Sequence, residues 1–316
     1  MHGREDIGSQ RPSRRDEGGP TDSHECCHQG DAAGHEPHAA GGSPGGCCGG
    51  GAGGGGGSCG CHAEEQVYVF SRASIRELDR VATSEFHMPS IVLMENAARG
   101  CAQAIIQGLS TIDDAAVVVL CGPGNNGGDG LAIARHLSNA DIHVAVVMAD
   151  GAGTKSPDSS TNLAIVRAMS IPVIQSGPDA PAAFKRAADA IGKPHVLVDA
   201  LLGTGVDRAV TGDLAETIRY VNGWSQGGED APTVISIDIP SGMDSDTGEP
   251  AGGADGISIR ADYTLTLAGV KEGFLNIAAQ KLLGEVMVVD IGVPMELVRR
   301  LGRPLDQRKH DPAPRR

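Results

Sequence analysis

The stretch Ala116–Gly130, AVVVLCGPGNNGGDG, decides the fold class of this chain. Its first five residues, Ala116–Leu120, are all apolar, which is typical of a strand buried inside a parallel sheet. The next ten, Cys121–Gly130, are rich in glycine, and a helical pattern follows over Gly130–Leu137. A buried strand that runs through a glycine-rich loop into a helix is the unit from which parallel α/β sheets are built.

The same alternation continues along the chain. The further predicted strands are Val144–Met148, Val173–Ile174, His195–Asp199, Val234–Ile237, Tyr263–Leu267 and Val286–Val289, and the helices between them are Ser160–Met169, Pro181–Ile191 and Leu214–Val221. Two more helices precede the first strand, one capped by Ser74 and one that begins at Ser90 after Pro89. The pattern predicts an α/β protein with a mostly parallel central sheet.

Composition divides the chain into three parts. Residues 1–65 are polar and glycine-rich, and such sequence buries too little apolar surface to offset the entropy of ordering. We expect a disordered leader over 1–65, one folded domain over 66–302 and a disordered tail over 303–316. Six of the eight cysteines lie in the leader, interleaved with histidines of the kind that bind zinc or copper(I). Their spacing matches no regular metal motif, which favours adventitious metal binding over a built site.

Charge and hydropathy exclude several classes of partner. The net charge of −14 argues against binding to nucleic acid or to an anionic membrane, since both need clustered basic residues. No apolar run approaches the ~20 residues of a membrane span, and the N-terminus lacks the apolar core of a secretory signal. We expect a cytoplasmic protein in which Cys101 and Cys121, both in apolar contexts, are buried free thiols.

The glycine-rich loop is the first of three strand ends that carry polar residues. Ligands of open α/β sheets bind beyond the carboxyl ends of the strands. This loop fits the pattern G-x-G-x-x-G, and Asp150 lies about twenty residues on, where a dinucleotide-binding protein has its ribose-binding acid. An NAD(P)-dependent dehydrogenase is therefore one interpretation. Asn125, Asn126 and Asp129 are more than a pyrophosphate loop needs, although Asp129 could cap the helix and the asparagines could occupy left-handed turns.

The second and third strand ends carry Asp199 and Asp238. After Asp199, the residues Gly203, Thr204 and Gly205 could hold a phosphate through backbone amides and a hydroxyl. Asp238 is followed by Ser241 in a sharp turn, and each aspartate could instead cap its own loop. Taken together, these oxygen-bearing side chains indicate a hard cation and proton-transfer chemistry. Lys271 follows a later strand and is either a positive charge in the same crevice or a solvated surface lysine.

Five ordered blocks of the sequence resemble the NAD(P)H-hydrate epimerase family, the YjeF N-terminal domain. The blocks are LMENAARG (Leu93–Gly100), CGPGNNGGDG (Cys121–Gly130), VDALLGTGV (Val198–Val206), IDIPSGMDSDTG (Ile237–Gly248) and VVDIGVP (Val288–Pro294). The resemblance spans about Ser71 to Pro294. It implies a Rossmann-like three-layer α/β/α sandwich and an isomerase that interconverts the R and S epimers at C6 of hydrated NADH and NADPH, the substrates NADHX and NADPHX.

The resemblance also implies which residues bind ligands. It implies one potassium ion (K+) per subunit, held by Asn126, Asp199 and Ser241. The implied substrate-binding residues are Asn125, Asn126, Gly127, Gly128 and Asp129 in the first loop, Gly203, Thr204, Gly205, Val206, Asp207, Arg208 and Ala209 in the second, and Asp238 beyond them. For proton transfer we expect Asp238 first and Asp199 second.

The family further implies a homodimer. Because the chain stops soon after VVDIGVP, we expect a separate dehydratase to act in the same pathway. Three alternatives to the epimerase stay open at this point: the dehydrogenase, a non-catalytic nucleotide-binding module and a metal-binding protein defined by its leader.

Overall fold

The computed structural model describes residues 66–149, 154–225, 227–228 and 231–305. The expected leader, Asp150 and the part of the expected tail from 306 onward lie outside the described residues. Within the described part, no helix is long and apolar enough to cross a membrane.

Ten strands and eight α-helices account for most of the described residues. The strands are β1 Tyr68–Phe70, β2 Ala116–Cys121, β3 His143–Met148, β4 Val173–Gln175, β5 Val196–Ala200, β6 Thr233–Ile237, β7 Tyr263–Leu267, β8 Val270–Lys271, β9 Glu285–Val289 and β10 Arg303–Pro304. The helices are α1 Arg72–Ser84, α2 Ser90–Gly108, α3 Asn125–Asn139, α4 Pro157–Ala168, α5 Ala180–Ile191, α6 Gly212–Trp224, α7 Gln280–Leu283 and α8 Met295–Leu301. Short 3-10 turns lie at Gly253–Asp255, Glu272–Leu275 and Ile277–Ala279.

Seven of the strands form one central sheet in the order β4-β3-β2-β5-β6-β7-β9, and every neighbouring pair in it is parallel. The chain runs outward from β2 through β3 to β4 and then returns to β5 on the other side of β2. The loops after β2 and β5 therefore leave the sheet at the point where the strand order reverses, which is where α/β sheets form a ligand crevice.

Both faces of the sheet are covered by helices. Alternate residues of β2 point to opposite layers: Val117 and Val119 pack in a cluster with α2, α3 and α4, whereas Val118 and Leu120 pack in one with α5 and α6. This arrangement confirms the predicted three-layer α/β/α sandwich with its parallel sheet. Cys101 and Cys121 are buried free thiols in the first cluster, as expected, and burial raises the pKa of both.

A second, small sheet was not predicted from the sequence. β1 pairs antiparallel with β10 and parallel with β8, and α1 and α8 pack nearby around Phe70 and Leu78. Its strands are two or three residues long, too short to show a strand periodicity. Because Arg303 and Pro304 belong to β10, the predicted domain boundary at 302 is corrected outward: the folded region continues into the first residues of the expected tail.

Candidate active site

A cavity of about 790 Å³ lies at the carboxyl ends of β2, β5 and β6 and is bounded on another side by α1. Its wall includes most of the predicted substrate-binding residues: Asn125, Asn126, Asp129, Gly203, Thr204, Gly205, Val206, Asp207, Arg208, Ala209 and Asp238. Gly127 and Gly128 lie behind this wall, in the buried first turns of α3. The three strand ends singled out in the sequence thus meet around one space.

Glycine in the first loop allows α3 to start very close to the sheet. A Cβ atom on Gly127 would lie 1.8 Å from the carbonyl oxygen of Gly122, and a Cβ atom on Gly122 would lie 1.7 Å from the carbonyl oxygen of Leu201. A side chain at Gly122 would therefore force the loops after β2 and β5 apart, and one at Gly127 would push the first turn of α3 away from the loop after β2. The close approach brings the N-terminus of α3 to the cavity, where its first-turn amides can bind an anionic group.

The structure corrects the local alternatives for this loop. α3 begins at Asn125 and not at Gly130, so Asp129 lies inside the helix and does not cap it. Asn125 and Asn126 are the first helical residues and do not occupy left-handed turns. The predicted cap of α1 is also wrong, because Ser71 caps that helix and Ser74 donates its N–H to the Ser71 hydroxyl at 3.2 Å.

Asp199 lies beneath the cavity and is fully buried. Its carboxylate accepts hydrogen bonds from both the hydroxyl (2.5 Å) and the N–H (2.9 Å) of Ser241, from the Ser236 hydroxyl (2.8 Å) and from the Leu201 N–H (3.3 Å). Burial raises the pKa of Asp199, and these hydrogen bonds oppose that rise. Because Asp199 does not line the cavity and its oxygens are already engaged, its placement argues against the prediction that it carries protons for a bound molecule.

Asn126, Ser241 and Asp199 are joined into one polar cluster through Leu202. The Asn126 side-chain amide donates to the Leu202 carbonyl oxygen at 3.0 Å, and the Leu202 N–H donates to the Ser241 hydroxyl at 2.9 Å. The other amide atom, Asn126 Oδ1, is buried and has no hydrogen-bond partner among the described residues. Leaving such an oxygen unpaired costs roughly 1–3 kcal/mol, so a ligand for it is expected.

Asp238 directly follows β6 and lines the cavity, with a buried partner behind it. Its backbone adopts a left-handed conformation (φ 67°), and its Oδ1 lies 2.6 Å from Nζ of Lys271. Lys271 is only 1% exposed and also donates to the carbonyl oxygens of Leu267 (2.8 Å) and Gly269 (3.2 Å). The alternative of a solvated surface lysine is therefore wrong: Lys271 is the counter-ion that holds the Asp238 carboxylate in place.

Two further carboxyl groups share this space. Asp79 of α1 lines the cavity. Burial of its carboxyl group and then the negative charge of Asp238 raise the pKa of Asp79 to about 6, although the positive charge of Lys271 opposes the rise. Burial, and then the charges of Asp238 and Asp79, raise the pKa of Asp129 well above its usual range. Sequence reasoning missed Asp79. The sequence does hold a clue to Asp79: it lies four residues after the core residue Ile75, and this helical spacing places a carboxylate beside the buried face of α1.

The loop 203–209 is tied to the start of α1 by Arg72, a residue that sequence reasoning also missed. Arg72 Nη2 donates to the Val206 carbonyl oxygen at 2.8 Å and to Asp244 Oδ2 at 2.6 Å, and its Nε donates to the Ser245 hydroxyl at 3.2 Å. Burial acts to raise the pKa of Asp244, but the hydrogen bond from Arg72 and two backbone N–H groups outweigh it and lower that pKa. Arg72 thus fixes one wall of the cavity to the turn after β6.

Positive side chains lie elsewhere on the wall. Arg76, Lys155 and Arg208 line the cavity together with the N-terminus of α3. The site therefore combines groups suited to bind phosphates with carboxyl groups that can transfer protons.

Comparison with known proteins agrees with this geometry. The family model described as "YjeF-related protein N-terminus" matches residues 90–273, more than half of the chain. A protein named NAD(P)H-hydrate epimerase from Rhodopirellula baltica is 39% identical over 225 residues, which cover 71% of this chain and 84% of that protein. A protein of the same name from Pirellula staleyi is 34% identical, with 73% and 95% covered.

Other relatives are longer. A protein named bifunctional NAD(P)H-hydrate repair enzyme Nnr from Salinibacter ruber is 40% identical over 231 residues, which cover 72% of this chain but 41% of that protein. The crystal structure of yeast ynu0, YNL200c, superposes with a TM-score of 0.61 at 21% identity over 75% of this chain and 94% of that one, which shows a shared fold. The chain therefore belongs to the YjeF-related N-terminal family, the family of the proteins named NAD(P)H-hydrate epimerase.

Proposed function

We propose that this chain is an NAD(P)H-hydrate epimerase, an isomerase that interconverts the R and S epimers of NADHX and NADPHX. The observation that carries the proposal is the relationship to proteins of that name, which match 84% to 95% of their own lengths at 34% to 39% identity. A cavity of about 790 Å³ at a strand-order reversal is also the size and place expected for a nucleotide site.

Potassium is the second part of the proposal. The residues present fit a cation: Asn126 Oδ1 is a buried oxygen without a hydrogen-bond partner in the described part of the chain, and the Ser241 hydroxyl and the Asp199 carboxylate are joined to the same cluster. All of these donors are oxygen atoms, which suit a hard cation. When bound, the ion would offset the buried charge of Asp199 and hold the three strand-end loops together.

Substrate binding is assigned to the wall of the cavity. The amides of the first turn of α3, with Arg76, Lys155 and Arg208, provide the positive groups that a phosphorylated nucleotide needs. The loop 203–209, fixed by Arg72, would cover the other side of the substrate.

The chemistry assigned to Asp238 is proton transfer at the C6 hydroxyl group. As the C–O bond of the substrate breaks, the lone pair of the ring nitrogen forms an iminium, and water then returns to either face of C6. Asp238 faces the cavity and is held in orientation by Lys271, so it can give up or take the proton of the moving hydroxyl group.

We further propose that the protein works as a homodimer in the cytoplasm, and that a separate dehydratase consumes the epimer it supplies. The free thiols of Cys101 and Cys121 are compatible with a reducing compartment.

The test is an epimer-exchange assay on the full-length protein. Purified S or R hydrate is incubated with the protein in potassium buffer, and appearance of the other epimer is followed by chromatography against a protein-free blank. We expect exchange well above the blank. A change in absorbance on adding an alcohol or acid substrate would favour the dehydrogenase, and tight binding without exchange would favour a non-catalytic module.

A further inference from the structure

Asp79 is the carboxyl group of the cavity to which the proposed reaction so far assigns no role. It projects from α1, an element that comes before all three strand ends in the chain and forms a separate wall of the same space. The first three core residues of α1 are Ile75, Leu78 and Val81, so the helix is fixed by packing while Asp79 stays accessible from the cavity.

Asp79 lies among both acidic and basic side chains of the cavity. Asp238 faces it from the end of β6, Asp129 from α3 and Lys271 from β8, while Arg76 lies one turn earlier on its own helix. Lys271 is buried and paired with Asp238 at 2.6 Å, which leaves Asp79 and Asp129 as acids close to a third carboxylate. Burial, and then repulsion from neighbouring carboxylates, raise the pKa of Asp79 to about 6 and that of Asp129 well above its usual range.

We propose that Asp79 is a second proton-transfer residue of the cavity, working with Asp238 from a different wall. The inference rests on the proposed epimerase function and deepens it. Asp129 is less suited to the role, because it lies within α3 and is only 8% exposed.

Epimerisation needs a proton donor when the C6 hydroxyl group leaves and a proton acceptor when water adds to the other face of C6, so two proton-transfer residues suit it. In one direction, Asp79 gives its proton to the C6 hydroxyl group, the C–O bonding pair leaves with the oxygen as water, and the nitrogen lone pair forms the C=N bond. A water molecule then adds to the other face, the C=N π pair returns to nitrogen, and the excess proton of that water passes to Asp238. The opposite direction uses the two residues in reverse, and proton exchange with solvent in the cavity restores the starting state.

The experiment compares Asp79→Asn with wild type and with a matched control on the same helix, Glu77→Gln. Glu77 pairs with Arg80 in solvent and does not line the cavity. We expect D79N to lower kcat for epimer exchange about 100-fold or more, the usual contribution of a general acid or base, with KM changed less than threefold. E77Q should exchange epimers at the wild-type rate, and D79E should recover more activity than D79N.

A pH profile separates proton transfer from a structural role. Since the pKa of Asp79 is about 6, kcat/KM of the wild type should decline as the pH rises above 6, and D79N should lack this limb. The inference is overturned if folded D79N keeps kcat within threefold of wild type, or if the limb persists in D79N. Should D79N not fold, Asp79→Ser decides: a folded D79S that keeps the wild-type rate and the limb would contradict the assignment. If wild type itself shows no exchange, the proposed function fails and not this inference alone.

Discussion

The ion pair between Asp238 and Lys271 makes one residue serve both chemistry and stability. Replacing Asp238 with Asn removes the charge that balances an ammonium group only 1% exposed. We expect epimer exchange to fall at least 100-fold and the free energy of unfolding to fall by about 3 kcal/mol, because an uncompensated buried charge is costly. Exchange assays and urea denaturation measure the two effects.

The control for this prediction is the double variant Asp238→Asn with Lys271→Met. Removing both charges leaves no unpaired ammonium, so stability should return toward the wild-type value while exchange stays low. A single D238N variant that is as stable as wild type would show that the two carbonyl oxygens alone hold Lys271. Wild-type exchange in D238N would remove Asp238 from the reaction.

Asp79 predicts a pH dependence of stability. A carboxyl group whose pKa is raised on folding binds more protons in the folded state, so its stabilising effect is present below pH 3.8 and is lost as the pH rises through about 6. At pH 8 the ionised group destabilises the fold. Because the cavity admits water, screening reduces this effect to ~1 kcal/mol, and D79N should melt ~2–4 °C above wild type.

The difference should vanish at pH 4, and thermal unfolding followed by circular dichroism at both pH values tests it. Glu77→Gln again serves as control, since the pKa of Glu77 is lowered by the hydrogen bond from Arg80 and its replacement should not stabilise the protein at pH 8. A D79N protein that melts below wild type at pH 8 would contradict the prediction.

At the scale of elements, the junction of β2 and α3 depends on glycine at particular positions. A Cβ on Gly127 would lie 1.8 Å from the carbonyl oxygen of Gly122, so the first turn of α3 would have to move away from the loop after β2, whereas a Cβ on Gly124 would meet no atom within 4 Å. We expect Gly127→Ala to lower the free energy of unfolding by ~3 kcal/mol or more and Gly124→Ala to leave it nearly unchanged. Equal urea midpoints for the two variants would show that the loop yields to the added methyl group.

Arg72 predicts a second effect at this scale. Replacing it with Met removes the hydrogen bond to Val206 and the ion pair with Asp244, so the loop 203–209 loses its tie to α1. We expect KM to rise about tenfold, with faster hydrogen–deuterium exchange in that loop and a smaller change in kcat. Arg80→Met, which breaks exposed contacts with Glu77 and Ser84 on α1 and none with the loop 203–209, is the matched control and should change neither quantity.

The elements also show what the sequence could and could not predict. Long apolar strands and amphipathic helices were placed correctly, because their periodicity records burial on one or both faces. The start of α3 was placed five residues late. Gly127 and Gly128 disfavour a helix by propensity, but α3 needs them because Gly127 lies against the backbone of Gly122 and Gly128 against the side chains of Ser159 and Met94. The small sheet and the wall formed by α1 depend on contacts between distant segments, which no local pattern records.

At the scale of the whole molecule, the same dependence on contacts between distant segments decides which site residues could be predicted from the sequence. The three strand ends were recognisable because parallel topology brings carboxyl ends together. Asp79, Arg72 and the buried position of Lys271 were not, since they depend on how α1 and β8 close over that edge. The sequence therefore predicts the centre of the site, because the topology follows from it, whereas the outer wall of the site depends on tertiary packing.

Potassium gives a prediction for the molecule as a whole, since Asn126 lies in α3, Asp199 in β5 and Ser241 in the turn after β6. A ligand that binds only the folded state raises stability by RT ln(1 + [L]/Kd), about 2.7 kcal/mol at one hundred times Kd. We therefore expect a higher Tm in potassium chloride than in lithium chloride of equal ionic strength, which keeps charge screening constant. This readout requires no substrate and no turnover.

Two variants in the same helical turn make the potassium test specific. Asn126→Ala removes the buried unpartnered Oδ1, so its Tm should be the same in both salts, even though loss of the bond to Leu202 lowers stability in each. Asn125→Ala is the control: Asn125 lines the cavity but is not among the proposed ligands, so the potassium increment should remain. An increment that survives in N126A, or that is missing from wild type, would mean that the cluster around Leu202 is held by hydrogen bonds alone.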